Sequence, residues 1–576
     1  MPDRSLSDAT AESPLRLALA QLNPTVGDVE GNANLVIDAI GRARDAGARL
    51  VLLPELVLSG YPPEDLLLKG HFLEACDRAL ARVAAAAEGI VALVGAPVRG
   101  PALHNGLVVL AEGRVAATYR KVLLPNYGVF DERRYFEPGN GGKLIEVGGI
   151  LIGLTVCEDI WTAGPPTSVE ALSGAGLIVN ASASPYHRGK GSEREHEIVA
   201  QRARENGVTV ALCNLVGGQD ELVFDGHSVV VDPAGRTLAR AGQFEEELLI
   251  CDLVLPSTTA RPDIDAGAPV IVSLPAPPPH SAAPASSANL AEPLADLDEV
   301  YAALVCGLAD YAHKNGFERA VLGLSGGIDS ALVALIAADA LGAEQVNCVV
   351  MPSPHSSSGT QADARMIAAN LGANLIEFDI APLMKAYEGV LSEPFAGTEP
   401  DIAEENLQSR IRGNLIMALS NKFGWIALST GNKSEMAVGY ATLYGDMAGG
   451  FAVIKDVPKL LVFQLVENRN ARAGRGLIPA SAIERPPSAE LRPDQLDTDS
   501  LPRYEELDAA LAAYVEQDGS RENMIAAGVS ADLADRVAVL VNRAEYKRRQ
   551  APPGVKITTK AFGRDRRLPM TNRFSG

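Results

Sequence analysis

Short apolar runs recur through the first half of the chain, at residues 15–20, 50–53, 91–96, 107–110, 151–156, 177–180, 208–212 and 229–231. Each is too short for a buried helix and is rich in Val, Leu or Ile, so the pattern predicts buried strands. Helical periodicity falls between several of them, as at 34–46 and 195–205. Beyond residue 295 the alternation becomes more regular. Helices near 297–313, 330–341, 360–371 and 404–421 alternate with strands at 320–324, 346–351, 374–378 and 425–429. Strands separated by single helices form parallel βαβ units, so this half is predicted to be a doubly wound parallel sheet and the whole chain α/β. No internal repeat at solenoid periods is present.

The two halves are separated by residues 275–288, PAPPPHSAAPASSA, which carry no apolar period and enough proline to stay extended. The expected organisation is a loosely held terminus at 1–13, a first domain at 14–265, a linker at 266–292 and a second domain at 293–576.

Charge and cysteine usage narrow the function. Fifty-one Lys and Arg stand against 72 Asp and Glu, a formal charge of −21, so the overall field repels nucleic acid and anionic membranes. The six cysteines (Cys76, Cys157, Cys213, Cys251, Cys306 and Cys348) form no CxxC pair and no zinc spacing. A reducing, cytoplasmic compartment is expected. The first residues, MPDRSLSDATAESPLRLALAQLNP, lack a basic, then apolar, secretory leader. No apolar stretch approaches the ~20 residues needed to cross a bilayer.

Cys157 ends the apolar run LIGLTVCEDIW, and most free cysteines in such places are small core residues. Two further strand ends change that balance. Glu55 closes RLVLLPE and Lys121 opens KVLLPNYGVFDERRYF, although each alone reads equally as a surface ion-pair partner. Taken together, Glu55, Lys121 and Cys157 in their LPE, RKxxLPN and CED contexts resemble the nitrilase, or carbon–nitrogen hydrolase, superfamily. That resemblance implies an αββα sandwich and an amide-cleaving centre. Glu55 would remove the thiol proton, and Lys121 would favour the thiolate and hold the oxyanion. Glu132 would orient the lysine. Similarity to the glutaminase branch adds Tyr127, Ser184 and Lys190 as glutamine contacts; loop hydrogen bonding is the alternative for Tyr127 and Ser184.

The second constellation is Gly323-Leu324-Ser325-Gly326-Gly327-Ile328-Asp329-Ser330, placed between the strand RAVLGL and the helix ALVALIAADAL. A strand, a glycine turn and a helix N-terminus make an anion site. The chain has no GxxxxGK[ST] or GxGxxG. The SGGIDS loop resembles instead the pyrophosphatase loop of ATP-dependent amidating and thiolating enzymes, which implies a Rossmann-like sheet of the adenine nucleotide alpha hydrolase type. A second segment, Thr430-Gly431-Asn432-Lys433-Ser434-Glu435, follows the strand GWIALST. Asp329 and Glu435 are a natural pair of hard ligands for Mg2+, with helix capping as the alternative for either.

A nitrilase-type half followed by SGGIDS, ENLQSRIRG, STGNKSE, YGDMAGGF and EYKRRQAPPG resembles the glutamine-dependent NAD+ synthetase family over nearly the whole chain. That resemblance implies ATP, L-glutamine and deamido-NAD+ as substrates, Mg2+ as cofactor and a homo-oligomer. It places Thr430 and Lys459 with the loop at ATP, and Asn406, Glu435 and Lys547 at deamido-NAD+. A tRNA-thiolating relative is the alternative enzyme, disfavoured by the acidic balance. A non-catalytic sensor of glutamine and nucleotide is the alternative of a different class.

Overall fold

Branched apolar residues dominate the early runs, and the computed structural model, described at residues 12–256, 270–274, 289–492 and 495–574, folds them into strands, most of them buried. In chain order these are β1 (Glu12–Gln21), β2 (Leu50–Leu52), β3 (Val91–Val98), β4 (His104–Ala111), β5 (Arg114–Arg120), β6 (Lys143–Val147), β7 (Ile150–Val156), β8 (Leu177–Ser182) and β9 (Thr209–Asn214). A hairpin of β10 (Val216–Gln219) and β11 (Leu222–Asp225) precedes β12 (Val229–Val231), β13 (Thr237–Arg240), β14 (Glu247–Pro256) and β15 (Val270–Leu274).

Two sheets result, ordered β14-β1-β2-β3-β4-β5 and β13-β12-β9-β8-β7-β6-β15. Their facing sides share one core, in which Leu17, Leu19, Leu52 and Leu93 of the first sheet meet Ile152, Leu154, Val179 and Ala211 of the second. Helices Val29–Asp45 and Gly70–Ala86 turn Val36, Ile40, Phe72 and Val83 inward. On the second sheet, Ile160, Val199 and Ala203 pack over Leu151, Ile178 and Val210. This is the αββα sandwich that the resemblance implied.

The second unit holds β16 (Ala320–Gly323), β17 (Val346–Val350), β18 (Asn374–Glu377), β19 (Ile426–Ser429) and β20 (Phe451–Ala452). Its sheet runs β18-β17-β16-β19-β20 with every neighbour parallel. The chain order reverses between β16 and β19, which opens a crevice at their carboxyl ends. A helical cluster around Leu507, Met524, Val537 and Val541 forms a further core. Among the described residues no helix is long and apolar enough to cross a membrane.

Several expectations change. The first helix begins at Val29 rather than 34, because Asp28 caps it by accepting from the Gly31 N–H at 3.0 Å. The segment expected as one helix from 195 is a π-turn, Glu193–Val199, continued by Ala200–Asn206. Part of the expected linker is structured: Val270–Leu274 pairs in parallel with Lys143–Val147, and the Arg240 N–H donates to Asn289 O at 2.9 Å. The expected N-terminal segment 1–13 lies largely outside the described residues, as does the whole Pro/Ala run 275–288. The chain divides into two compact units, Met1–Gln219 with Phe224–Leu294, and Asp220–Val223 with Ala295–Gly576.

Candidate active sites

Each reactive side chain of the first unit stands where a strand stops. Glu55 follows β2 in a turn that passes directly over β3, and a Cβ on Gly95 would lie 2.2 Å from Pro54 O, so only glycine allows that approach. Lys121 follows β5. Cys157 ends β7 at a positive φ of 42°, an uncommon conformation for a residue with a side chain, and opens a short 3-10 turn, Cys157–Ile160.

The structure brings all three together and adds Glu132. Lys121 is wholly buried, and its ammonium donates to Glu55 Oε1 at 2.7 Å and to Glu132 Oε1 at 2.8 Å. An ammonium has three donors, so one remains for a substrate oxygen. Burial pushes the Cys157 thiol well above its usual range, Glu55 adds to that, and Lys121 opposes it. Lys121 thus acts in the expected direction, favouring the thiolate, against desolvation and the carboxylates of Glu55, Glu158 and Glu132, and Glu55 stands as the group expected to take the thiol proton.

Four further residues shape this centre and escaped the sequence reading. The Asn105 amide donates to Glu55 Oε1 at 2.7 Å, the Ala183 N–H to Glu55 Oε2 at 3.0 Å and the Tyr61 hydroxyl to Glu132 Oε1 at 3.0 Å. Asp159 accepts from the N–H groups of Val122 at 3.1 Å, Leu123 at 2.8 Å and Val156 at 3.0 Å, and from the Tyr119 hydroxyl at 2.7 Å. It ties the segment after Lys121 to the Cys157 turn; burial pushes its carboxyl up to about 6, against those backbone donors. Its place in CED was the only available signal. Asn105 and Tyr61 carry no distinguishing pattern.

The expected glutamine contacts are positioned less uniformly. Ser184 is buried, and its N–H donates to Asn214 Oδ1 at 2.9 Å. Tyr127 is exposed, with its hydroxyl 3.0 Å from both oxygens of Glu158. Lys190 sits 3.9 Å from the centre of the Trp161 ring and donates to Glu193 at 3.1 Å. Burial lowers its tendency to hold a proton, Glu193 raises it, and Cys157 lies within its electrostatic reach.

In the second unit, Leu324, Ser325, Gly326 and Gly327 link β16 to the helix Ile328–Leu341. Gly326 has a φ of +86°, and a Cβ there would lie 2.1 Å from Thr360 O. Ser325 and Ser330 close the turn on itself: the Gly327 N–H donates to Ser325 Oγ at 3.1 Å and Ser330 Oγ to Gly327 O at 3.0 Å. Gly323 is the last residue of β16.

Asp329 and Glu435 converge on a single cation, the Lys459 ammonium, which pairs with Asp329 and lies 3.3 Å from Glu435 Oε1. Asn432 Nδ2 also donates to Asp329 Oδ1, at 3.0 Å. Capping explains neither carboxylate, because Gly327 and Asn432 occupy the cap positions. Burial pushes the Glu435 carboxyl up to about 8, Lys459 opposes that, and Asp329 and Asp497 add to it. Lys459, expected to face a triphosphate, is 1 % exposed and pairs with the two carboxylates, which give the buried ammonium its counter-charge. Asn406 Oδ1 accepts from the Thr442 hydroxyl at 2.8 Å. Lys547 is engaged by the carbonyls of Gly439 at 2.8 Å and Ala441 at 2.7 Å. Thr430 is half-buried just past β19. Among the described residues no group of three or more His, Cys, Asp or Glu side chains could hold a metal by itself.

Comparison with known proteins finds a family match in each half of the chain. The carbon–nitrogen hydrolase family is matched over residues 16–263 and the NAD synthase family over 300–551. The glutamine-dependent NAD(+) synthetase of Thermotoga maritima is 46% identical over 574 residues, covering 97% of this chain and 99% of that one. The protein of the same name from Xanthomonas campestris pv. campestris is 47% identical over 579 residues, covering 99% and 100%. The solved structure of glutamine-dependent NAD+ synthetase from Acinetobacter baumannii, in complex with ADP, is 36% identical, covers 97% of this chain and 99% of that chain, and superposes with a TM-score of 0.74. With two domain families in the expected order and this identity along almost its full length, the chain belongs to the glutamine-dependent NAD(+) synthetase family.

Proposed function

We propose that the chain amidates deamido-NAD+ to NAD+ with ATP, releasing AMP and pyrophosphate, and draws the ammonia from L-glutamine hydrolysed at Cys157. The observation that carries this reading is the Lys121 ammonium buried between Glu55 and Glu132 beside the Cys157 turn, in a chain whose other half bears the SGGIDS loop.

At the first centre, Glu55 takes the Cys157 proton as the sulfur attacks the glutamine amide carbon. The third Lys121 N–H meets the oxygen that becomes negative. Glu55 returns the proton to the departing ammonia, and water then cleaves the thioester with Glu55 again as base. Tyr127, Ser184 and Lys190 hold the amino-acid end of glutamine, and Glu158 beside Tyr127 adds a carboxylate to that set.

At the second centre, residues Gly323 to Ser330 and Thr430 bind ATP, and Asn406, Glu435 and Lys547 bind deamido-NAD+. The nicotinate carboxylate attacks the α-phosphorus of ATP, pyrophosphate leaves, and ammonia displaces AMP from the resulting acyl-adenylate. Asp329 and Glu435 fit Mg2+: two hard oxygens already converge on one cation, and Mg2+ commonly takes one or two carboxylates and completes its shell with phosphates. When bound, the ion would supply charge neutralisation of the pyrophosphate oxygens. Lys459 then becomes the movable cation, free to turn from the carboxylates to the phosphates.

Residues 14–265 form the glutaminase domain and 293–576 the synthetase domain in this reading, joined through 266–292. The protein works in the cytoplasm as a homo-oligomer, without nucleic acid or membrane partners. The test is an assay of AMP and NAD+ formation from deamido-NAD+ and ATP with glutamine or with ammonium salts. Formation with both nitrogen sources is expected; formation with neither would defeat the reading.

A further inference from the structure

The two oxygens of Glu55 have unequal company. Oε1 accepts from Lys121 Nζ at 2.7 Å and from Asn105 Nδ2 at 2.7 Å, whereas among the described residues Oε2 accepts only the Ala183 N–H, at 3.0 Å. A carboxylate offers about two lone-pair directions per oxygen. Oε1 is therefore filled and Oε2 has one direction left.

Asn105 is placed to enforce this. It lies near the start of β4, 1 % exposed, and its carbonyl accepts the Lys121 N–H at 2.8 Å, so one residue fixes the lysine backbone and the glutamate side chain together. Its amide nitrogen also lies 3.5 Å from Glu132 Oε2. Its own oxygen, Oδ1, is buried without a hydrogen-bond partner. Turning the amide over would set that oxygen against two carboxylates, so the orphaned oxygen is the consequence of using both donors. Leaving a buried acceptor unpaired is costly, and cores of pure packing avoid it.

We infer that Asn105 is a positioning residue of the glutaminase reaction, holding Glu55 so that Oε2 is the atom that takes the Cys157 proton and gives it to the leaving ammonia. The inference rests on the reading of Cys157 as the glutaminase nucleophile. In the first half of the step the S–H bond and the carbonyl π bond break while Oε2–H and S–C form, leaving the oxyanion. In the second, Oε2–H and C–N break while N–H and the carbonyl π bond form, so no proton is gained or lost. The groups facing Glu55 are Lys121 past β5, Glu132 with Tyr61 behind it, Cys157 past β7, Asn105 on β4 and the Ala183 N–H past β8. The acid limb of glutamine hydrolysis belongs to this whole set.

The experiment measures glutamine hydrolysis by the full chain against pH, with kcat and KM separated, for the parent, Asn105→Ala and Asn105→Asp. Ammonia-dependent NAD+ formation serves as the fold control. In Asn105→Ala, kcat should fall about tenfold or more, KM for glutamine should change by less than about threefold, and the acid limb should move up by about one pH unit, since a charged carboxylate loses one donor. Asn105→Asp, nearly the same size, should move it further by adding a negative charge. Ammonia-dependent synthesis should stay at the parent rate. An unchanged acid limb and kcat in Asn105→Ala would overturn the inference. So would parallel loss of both activities in both variants, which would make Asn105 a folding residue. A parent that hydrolyses no glutamine would instead defeat the glutaminase reading itself.

Discussion

Both centres are built around a buried lysine held between two carboxylates. Lys121 lies between Glu55 and Glu132 in the first unit, and Lys459 between Asp329 and Glu435 in the second. The surroundings differ. Around Lys121 the two carboxylates also meet Asn105, Tyr61 and the Ala183 N–H, which hold them in place before substrate arrives. Around Lys459 a third carboxylate, Asp497, adds its field, and Glu435 is pushed up to about 8. One ammonium for three acids leaves that centre short of positive charge. In the proposed function this difference suits the first centre to moving a proton and the second to admitting a cation and a polyphosphate.

The sharpest way to break the comparison is Cys157→Ala. It removes the sulfur proposed to carry the thioester and shrinks the side chain little, so glutamine-dependent synthesis should vanish while ammonia-dependent synthesis persists at high ammonium and alkaline pH. Survival of glutamine use would move the nucleophile to another cysteine. Failure with ammonia in a folded variant would show that the two centres are not separable.

Asp329→Asn should do the reverse, abolishing NAD+ formation from either nitrogen source while glutamine hydrolysis stays measurable. Losing one hard ligand and the Lys459 counter-charge should cost several kcal/mol of transition-state stabilisation. NAD+ formation near the parent rate would dismiss the metal role.

Lys121→Met keeps bulk and removes charge. Glutaminase kcat should fall by about 10²–10³, the usual loss of one oxyanion donor, with ammonia-dependent synthesis intact. Equal impairment with both sources would mark a purely structural ion pair.

The smallest effect concerns pH. Glu435 loses its proton near 8 in the fold and near ~4.3 in an unfolded chain, so ionising it opposes folding. Its favourable contribution is complete below about 4.3 and is lost as pH rises through about 8. Glu435→Gln should therefore flatten the decline in stability between about pH 5 and 9, a difference on the order of 1 kcal/mol or more, read by denaturant unfolding without nucleotide. A parallel decline in the variant would show that Glu435 does not sense the shortage of cations.

Much of this was legible in the chain. Four strands of the second unit fell within one or two residues of expectation, because each is a short apolar run set off by helical segments, whereas the two-residue β20 lies in a stretch expected as loop. The first unit was read less completely. The edge strand Arg114–Arg120 and the polar-flanked Lys143–Val147 have few consecutive apolar residues and owe their extended form to pairing with neighbours. Val270–Leu274 was absorbed into the linker for the same reason, since its strand exists only beside Lys143–Val147.

The amino-acid sequence by itself determined which reactive types stand at strand ends: Glu55, Lys121 and Cys157 in one half, and SGGIDS with Glu435 in the other. Those follow from local rules of strand, turn and helix N-terminus that need no partner. What only the tertiary structure decided is the protonation logic. Whether Cys157 rests as a thiol, which donors Glu55 meets, and whether Lys459 faces solvent or two acids depend on desolvation and on groups up to 130 residues apart in the chain, such as Lys459 and Asp329. Charge in a buried site is set by everything packed around it, and that list exists only once the chain has folded.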